Sequence, residues 1–252
     1  MKNSTIKKNE KKLLNLLGIF FIIIVWFVLS NAYNNSLIVP KIHKVLISLI
    51  NLLKEIRTYK LIFTLIINII LVIGVSFLIA MVLAILSYKY ERVYHFVSPI
   101  IVILKTIPIV AIIILLIISL MDGAPYVATC FVIIPIIFEG TYSTLKQIDT
   151  NITDDLRTVS NINLPVIIKF FIPLILPSIL TTLLQSFGLG LKVMVMTEYT
   201  SPKNNTFGAE IRRYYDNHEM EKVYAIVLIV ILLSFITDKI IKTLREKKFK
   251  NN

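Results

Sequence analysis

Four ionisable side chains lie within or beside long apolar stretches of this sequence: Lys105, Glu139, Lys192 and Glu198. Charged groups are costly in a bilayer, and by default they mark a transport pathway or a buried ion pair. Lys105 and Glu139 suit a structural pair. Lys192 and Glu198 lie about 120° apart around a helix, so we do not expect them to bond to each other.

Two of these charges suggest transport. We predict that Lys192 faces a central pathway and attracts an anionic solute, and that Glu198 acts at a gate or an interface. Phe187 and Met194 are further candidates for lining the pathway, and core packing explains them equally well. The neighbouring Gly188 and Gly190 favour close helix packing over a hinge.

Other chemistries lack the residues that they need. His43, His95 and His218 are far apart, and the single cysteine, Cys130, excludes an intrachain disulfide. The sequence has no glycine-rich loop of the kind that cradles ATP phosphates. It shows no Ser/His arrangement and no paired-aspartate motif, which disfavours an intramembrane enzyme. We therefore predict no catalytic residue, no metal site and no cofactor in this chain.

The hydrophobic pattern predicts an all-α polytopic membrane protein. Hydrophobic residues make up 56% of the 252, the mean hydropathy is +0.80, and residues 61–88 contain no Asp, Glu, Lys, Arg or His. Runs of about 18 or more apolar residues are typical of bilayer-spanning helices. We predict one domain over 13–244, between basic tails at 1–12 and 245–252. Six spans are placed at about 13–31, 60–88, 96–121, 124–141, 165–199 and 221–244, with an interruption of the third at 105–108.

The distribution of Lys and Arg predicts the orientation. The net charge is +12, but the cations lie at helix ends and in both tails rather than on one face, so we predict no nucleic-acid partner. With the N-terminus inside, 16 Lys and Arg fall on the cytoplasmic side and 9 outside. Cytoplasmic loops are enriched in these residues, which favours two cytoplasmic termini. Residues 39–59 predict an amphipathic helix at the outer surface. Its apolar face is formed by Ile42, Val45, Leu46, Leu49, Ile50, Leu53 and Ile56.

A polar island interrupts the apolar sequence at residues 149–177. Ile152, Leu156 and Val159 form one apolar stripe at helical spacing. Asp154 and Asp155 fall in the first turn of this short helix, where the helix dipole favours negative charge. Two interpretations remain open at this point: a plain cytoplasmic loop, or a helix that docks into a partner protein. Two prolines follow, Pro173 and Pro177, and predict a helix bend.

The island resembles the cytoplasmic "EAA" loop of bacterial ABC importer permeases, the inner membrane components of binding-protein-dependent transport systems. Asp154-Asp155-Leu156 stands where E-A-A is expected, Ser160 stands at the glycine, and residues 171–177 are similar to V-L-P-x-x-L-P. Lys105-Thr106-Ile107-Pro108 and Thr197-Glu198-Tyr199 with Phe207-Gly208-Ala209 resemble further family motifs. The resemblance covers residues 37–245 and is nearest to the nitrate, sulfonate and taurine type.

The resemblance implies a type I ABC importer permease with six transmembrane helices, in the plasma membrane of a bacterium. It implies a homodimer, a separate ATPase subunit that holds ATP and Mg²⁺, and a solute-binding protein outside. The expected ATPase-docking residues in the coupling loop at 142–168 are Ile152, Asp154, Asp155, Leu156, Arg157, Val159 and Ser160. The alternative is a small secondary transporter or channel subunit driven by an ion gradient.

Overall fold

The computed structural model describes residues 8–148 and 171–249, and these residues form helices joined by short turns. In chain order the helices are α1 (Lys8–Tyr33), α2 (Ile42–Lys54), α3 (Ile56–Lys89), α4 (Glu91–Thr106), α5 (Ile109–Leu120), α6 (Ala124–Lys146), α7 (Ile172–Thr200), α8 (Phe207–Asp216) and α9 (Met220–Phe249). Within a helix the backbone N–H and C=O groups bond to each other, as apolar surroundings require. The predicted all-α class is confirmed.

Five stretches of the described chain are long and apolar enough to cross a membrane. They are Leu13–Tyr33, Ile56–Lys89, Ile109–Lys146, Ile172–Thr200 and Met220–Ile240. The difference from the six predicted spans arises at 96–121, which divides between α4 and α5. At 16 and 12 residues, neither helix reaches about 18 residues alone. The count of six stays a prediction.

Two local features end the helical structure on either side of α5. Ile107 is extended, with φ −65° and ψ 129°, because a following proline disfavours the helical region. After α5, Met121 takes a left-handed φ of 45° and begins a short 3₁₀ turn over Met121–Gly123. Ile113 of α5 then packs with Ala128 of α6, so Ile109–Lys146 folds back on itself. Both breaks agree with the sequence, which predicted an interruption at 105–108 and a boundary between spans after residue 121.

The predicted cytoplasmic loop begins later than expected, because α6 continues to Lys146 instead of ending at Thr141. An aromatic stack supports the extra turn. The rings of Phe138 and Tyr142 lie 5.8 Å apart, and those of Tyr142 and Tyr94 lie 4.5 Å apart. The Lys146 ammonium lies 5.3 Å from the centroid of the Tyr142 ring. Such cation–π contacts favour an ordered helix end.

The described chain forms two compact units, each with its own contacts. The first comprises the residues up to Thr58 together with Ile211–Ile229. In it, the Trp26 ring lies 5.7 Å from that of Tyr224, and the Tyr224 hydroxyl donates to the Ile38 carbonyl at 3.3 Å. Lys44 and Glu221 form an ion pair at 3.8 Å. These contacts join α1, α2 and the first turns of α9.

Residues 39–59 do not form one helix, because α2 runs from Ile42 to Lys54, Glu55 is extended, and Ile56 begins α3. The buried side chains of α2 are Val45 and Leu52, and Leu52 is not on the predicted apolar face. Leu46 and Ile50, which are on that face, are exposed. One side of α2 thus packs within the first unit, and a second apolar side remains open. Placement of α2 at the outer surface stays a prediction.

The second unit comprises Tyr59–Glu210 and the chain from Val230 onward. Its core lies along α6 and α7, where small residues allow close approach. A Cβ at Gly190 would lie 2.9 Å from the side chains of Ile69 and Ile133, and one at Gly140 would overlap Thr182. A hydrogen bond of 2.7 Å also links the hydroxyls of Thr144 and Ser178. This packing fixes the position of α7.

Candidate functional site

One face of α7 is polar over more than two turns. Thr181, Gln185, Gly188 and Lys192 follow at intervals of four, three and four residues, the spacing of one helical face. The Thr181 hydroxyl donates to the Pro177 carbonyl of its own helix at 3.0 Å. The rest of the helix is largely apolar. A polar stripe on a helix that is long enough to span a bilayer requires water, a ligand or a protein partner beside it.

The second polar stripe lies on α9. Ser234, Asp238 and Lys242 follow at intervals of four residues, so they also share one face. The two stripes line a single open cavity of about 630 Å³, which we call the polar groove. Its remaining walls are apolar. The complete lining is Ile136, Thr181, Leu184, Gln185, Gly188, Leu189, Lys192, Ser234, Asp238 and Lys242.

The charges of the polar groove are unsatisfied within the described chain. Among residues 8–148 and 171–249, the side chains of Lys192, Asp238 and Lys242 have no hydrogen-bond or ion-pair partner. Two ammonium groups face one carboxylate, so the groove carries a formal charge of one positive unit. Charges within membrane spans are normally paired or face a water-filled cavity. The groove therefore suits a hydrated solute that bears negative charge.

Three of the predicted pathway residues, Lys192, Phe187 and Met194, lie in three different environments. Lys192 lines the polar groove, as described. Phe187 is buried and lines a separate cavity of about 560 Å³ whose walls are almost entirely apolar, which we call the apolar cavity. Met194 has no exposed surface at all, because it faces the interior of its own chain. Core packing thus accounts for Met194, and the structure does not bring it into either cavity.

Glu198 is placed away from the polar groove, at the end of α7. Its side chain is 3% exposed, and its Oε2 accepts a hydrogen bond of 3.2 Å from the Gly208 backbone N–H. A Cβ at Gly208 would overlap the Tyr199 nitrogen and lie 2.5 Å from the Glu198 carbonyl carbon. Only glycine allows this approach. Glu198 and Gly208 therefore hold α7 against the start of α8. Lys192 and Glu198 do not meet.

The Lys105–Glu139 pair is present as expected. The Lys105 ammonium donates to both carboxylate oxygens of Glu139, at 2.8 and 2.6 Å. It joins the last turn of α4 to α6 within the second unit. Since both charges satisfy each other, this pair is structural and does not offer a free charge to a solute.

The two prolines of α7 have different positions. Pro177 lies inside the helix, where its ring removes one backbone hydrogen bond. Pro173 lies in the first turn of the described helix, where proline is tolerated. A bend at Pro173 depends on residues 149–170, which lie outside the described residues. The predicted docking residues Ile152, Asp154, Asp155, Leu156, Arg157, Val159 and Ser160 also lie there.

Sequence reasoning missed five polar residues of the polar groove: Thr181, Gln185, Ser234, Asp238 and Lys242. Their signal was present, because polar residues recur every three or four positions through two apolar helices. From the sequence alone, a lysine near the end of the last span, such as Lys242, is expected to extend to the membrane surface. The sequence did not indicate that the polar stripes of α7 and α9 line the same groove, because that depends on how the two helices pack.

Comparison with known proteins places this geometry in a family. Residues 76–250, which include all of the polar groove, match the family described as the binding-protein-dependent transport system inner membrane component. The chain belongs to this family. It is the permease component of an ABC transporter, a transport subunit rather than an enzyme, and a multi-pass membrane protein.

Individual relatives agree with this membership. A putative ABC transporter permease protein of Methanocaldococcus jannaschii is 28% identical to the permease over 258 residues, which cover 98% of this chain and 96% of the relative. A chain of the inward-facing MetNI methionine ABC transporter has a TM-score of 0.67 at 14% identity and covers 76% of the permease and 95% of itself. A second crystal form of that transporter gives a TM-score of 0.63 at 15% identity, with 77% and 94% covered. At such low identity these two structures show the shared type I importer permease fold alone.

Proposed function

We propose that this permease is the membrane subunit of an ABC importer and that its polar groove forms part of the pathway for a small anionic solute. The observation that carries the proposal is the pairing of two polar stripes on helices that are otherwise apolar. Lys192 and Lys242 outnumber the single carboxylate, Asp238, in that groove. The resemblance to the nitrate, sulfonate and taurine type supports an anion independently of this geometry.

The groove is open on one side, which suits a pathway completed by a second copy of the permease. A homodimer would place two polar grooves around one central route. Family membership supports an ATPase partner. The expected apolar stripe of Ile152, Leu156 and Val159 would suit a groove on the surface of that soluble subunit. ATP and Mg²⁺ would bind there, and a binding protein would deliver the solute from outside. Both termini of the permease would lie in the cytoplasm.

Thiol-reactive reagents of opposite charge can test whether the polar groove favours anions, even though the solute is not known. Cys130→Ser removes the single cysteine, and Gln185→Cys then places one thiol in the polar groove. We expect a negatively charged methanethiosulfonate to react faster than a positively charged one, because two lysines raise the local anion concentration. Lys192→Ala should lower this rate ratio and Asp238→Asn should raise it. Reaction rates are measured on full-length permease in nanodiscs.

The matched control is Phe235→Cys, which adjoins Ser234 in sequence at the same depth but does not line the groove. Ser234→Cys should react with both reagents faster than Phe235→Cys, because a polar groove admits water whereas the apolar surface around Phe235 suits lipid. The pathway proposal fails if Ser234→Cys and Phe235→Cys react equally slowly. The preference for an anionic solute fails if Lys192→Ala leaves the rate ratio unchanged.

A further inference from the structure

A second polar cavity lies in the first unit, at the junction of α1 and α2. It has a volume of about 350 Å³ and lies beside the last two turns of α1 and the first turn of α2. We call it the headgroup pocket, and its lining is Phe27, Ser30, Asn31, Lys41, Ile42, His43 and Leu46. The Trp26 indole N–H donates to the Pro40 carbonyl at 3.1 Å, which fixes the entry to α2 against α1.

The polar wall of the headgroup pocket offers hydrogen-bond donors and a positive charge. The side chains of Lys41, His43 and Asn31 are exposed, and within the described chain none of these three side chains has a hydrogen-bond or ion-pair partner. The Ser30 hydroxyl is already used, since it donates to the Phe27 carbonyl at 3.1 Å. No carboxylate lines the pocket. An ammonium group beside amide and imidazole N–H groups suits a phosphate oxygen.

The opposite wall is apolar and continues onto a helix that lipid can reach. Phe27 and Leu46 are both about half exposed, at 58% and 48%. They adjoin the 21-residue apolar stretch Leu13–Tyr33, of which only 6% is buried in its most apolar window. The pocket lies at one end of that stretch, the level at which lipid headgroups meet a spanning helix. A free phosphate would have no use for the apolar wall, whereas a phospholipid uses both walls.

We propose that the headgroup pocket binds an anionic phospholipid, with the headgroup phosphate at Lys41, His43 and Asn31 and an acyl chain along Phe27 and Leu46. The pocket lies outside residues 76–250, the part matched to the permease family, and it shares no residue with the polar groove. The site therefore adds lipid recognition to transport. Bound lipid fills the junction of α1 and α2 and stabilises α2 at the membrane surface.

Native mass spectrometry of the full-length permease in detergent tests the proposal. Phosphatidylglycerol and phosphatidylcholine with identical acyl chains are supplied in equal amounts, and the bound copies are counted. The wild-type protein should retain more phosphatidylglycerol. Lys41→Ala should weaken retention about fivefold, which corresponds to about 1 kcal/mol for one lysine at an anionic surface. Lys41→Arg should restore it.

Lys54→Ala is the matched control, because Lys54 is an exposed lysine at the far end of the same helix and does not line the pocket. It should retain phosphatidylglycerol as the wild type does. If Lys41→Ala lowers the melting temperature, the pair His43→Ala and Asn31→Ala takes its place, with the same expected loss. Equal retention of the two lipids, unchanged retention in the pocket variants, or an equal loss in Lys54→Ala would overturn the proposal. Displacement by an equal concentration of glycerol 1-phosphate would show that the acyl chain is not recognised and would also overturn it.

Discussion

At the scale of single residues, Lys192 and Glu198 are both charged groups in α7, but the structure gives them different environments. Lys192 faces the polar groove and lacks a partner among the described residues, whereas Glu198 is buried and accepts a hydrogen bond from the Gly208 backbone. The sequence indicated that the two do not pair, because of their angular separation. It did not indicate which of them is buried, since that depends on how the chain returns after α7. Glu198 is the buried one, because Gly208, ten residues later, allows the returning chain to pack closely against it.

Gly208→Ala tests this contact. The added Cβ would overlap backbone atoms of Tyr199 and Glu198, and backbone cannot move aside as a flexible side chain does. Overpacking typically costs about 1–3 kcal/mol, and we expect a loss at the upper end of that range together with a lower melting temperature. The control is Gly74→Ala, where a Cβ meets nothing within 4 Å. A helical alanine there should be neutral or stabilising. If the two variants melt together in detergent, the Glu198–Gly208 contact is not as described.

At the scale of elements, the hydrophobic runs predicted where helices occur better than how they are divided. Residues 60–88 and 221–244 correspond to α3 and α9, because uninterrupted apolar sequence leaves few alternatives to a helix. Residues 96–121 became α4 and α5, which meet at Ile107 and Pro108. The spacing of polar residues in the sequence indicates the polar stripes of α7 and α9. That the two stripes share one groove is seen only once the helices are packed. Packing against α6, rather than any local signal, sets which side of α7 is open.

The close approach of α6 and α7 makes a testable prediction. A Cβ at Gly140 would overlap the hydroxyl of Thr182 and lie 2.9 Å from its methyl group. Gly140→Ala should therefore destabilise the permease by about 1–3 kcal/mol. Thr182→Ala removes both of these atoms, and among the described residues the Thr182 hydroxyl bonds only to the Ser178 carbonyl of the same helix. The double variant should recover most of the lost stability in a melting experiment. If the double variant instead lost as much stability as the sum of the two single variants, this packing would be contradicted.

At the scale of the whole molecule, three levels of observation agree on a transport subunit. Apolar helices dominate the chain, the polar groove offers an unsatisfied positive charge, and residues 76–250 belong to a family of transport permeases. The predicted importer mechanism adds one requirement, a docking surface for the ATPase. That surface was predicted from the apolar stripe at Ile152, Leu156 and Val159, which lies outside the described residues.

Purification of the full-length permease from its native membranes in mild detergent is the most direct test. We expect it to bring down a chain that carries the G-x-x-x-x-G-K-[ST] loop of an ATPase, identified by mass spectrometry. Leu156→Asp with Val159→Asp should abolish this association, because two charges would have to be buried in the interface. Thr158→Asp with Asn161→Asp adds the same charge off the apolar stripe and should leave the complex intact. An ATPase that stays bound to the Leu156→Asp, Val159→Asp variant would contradict the account.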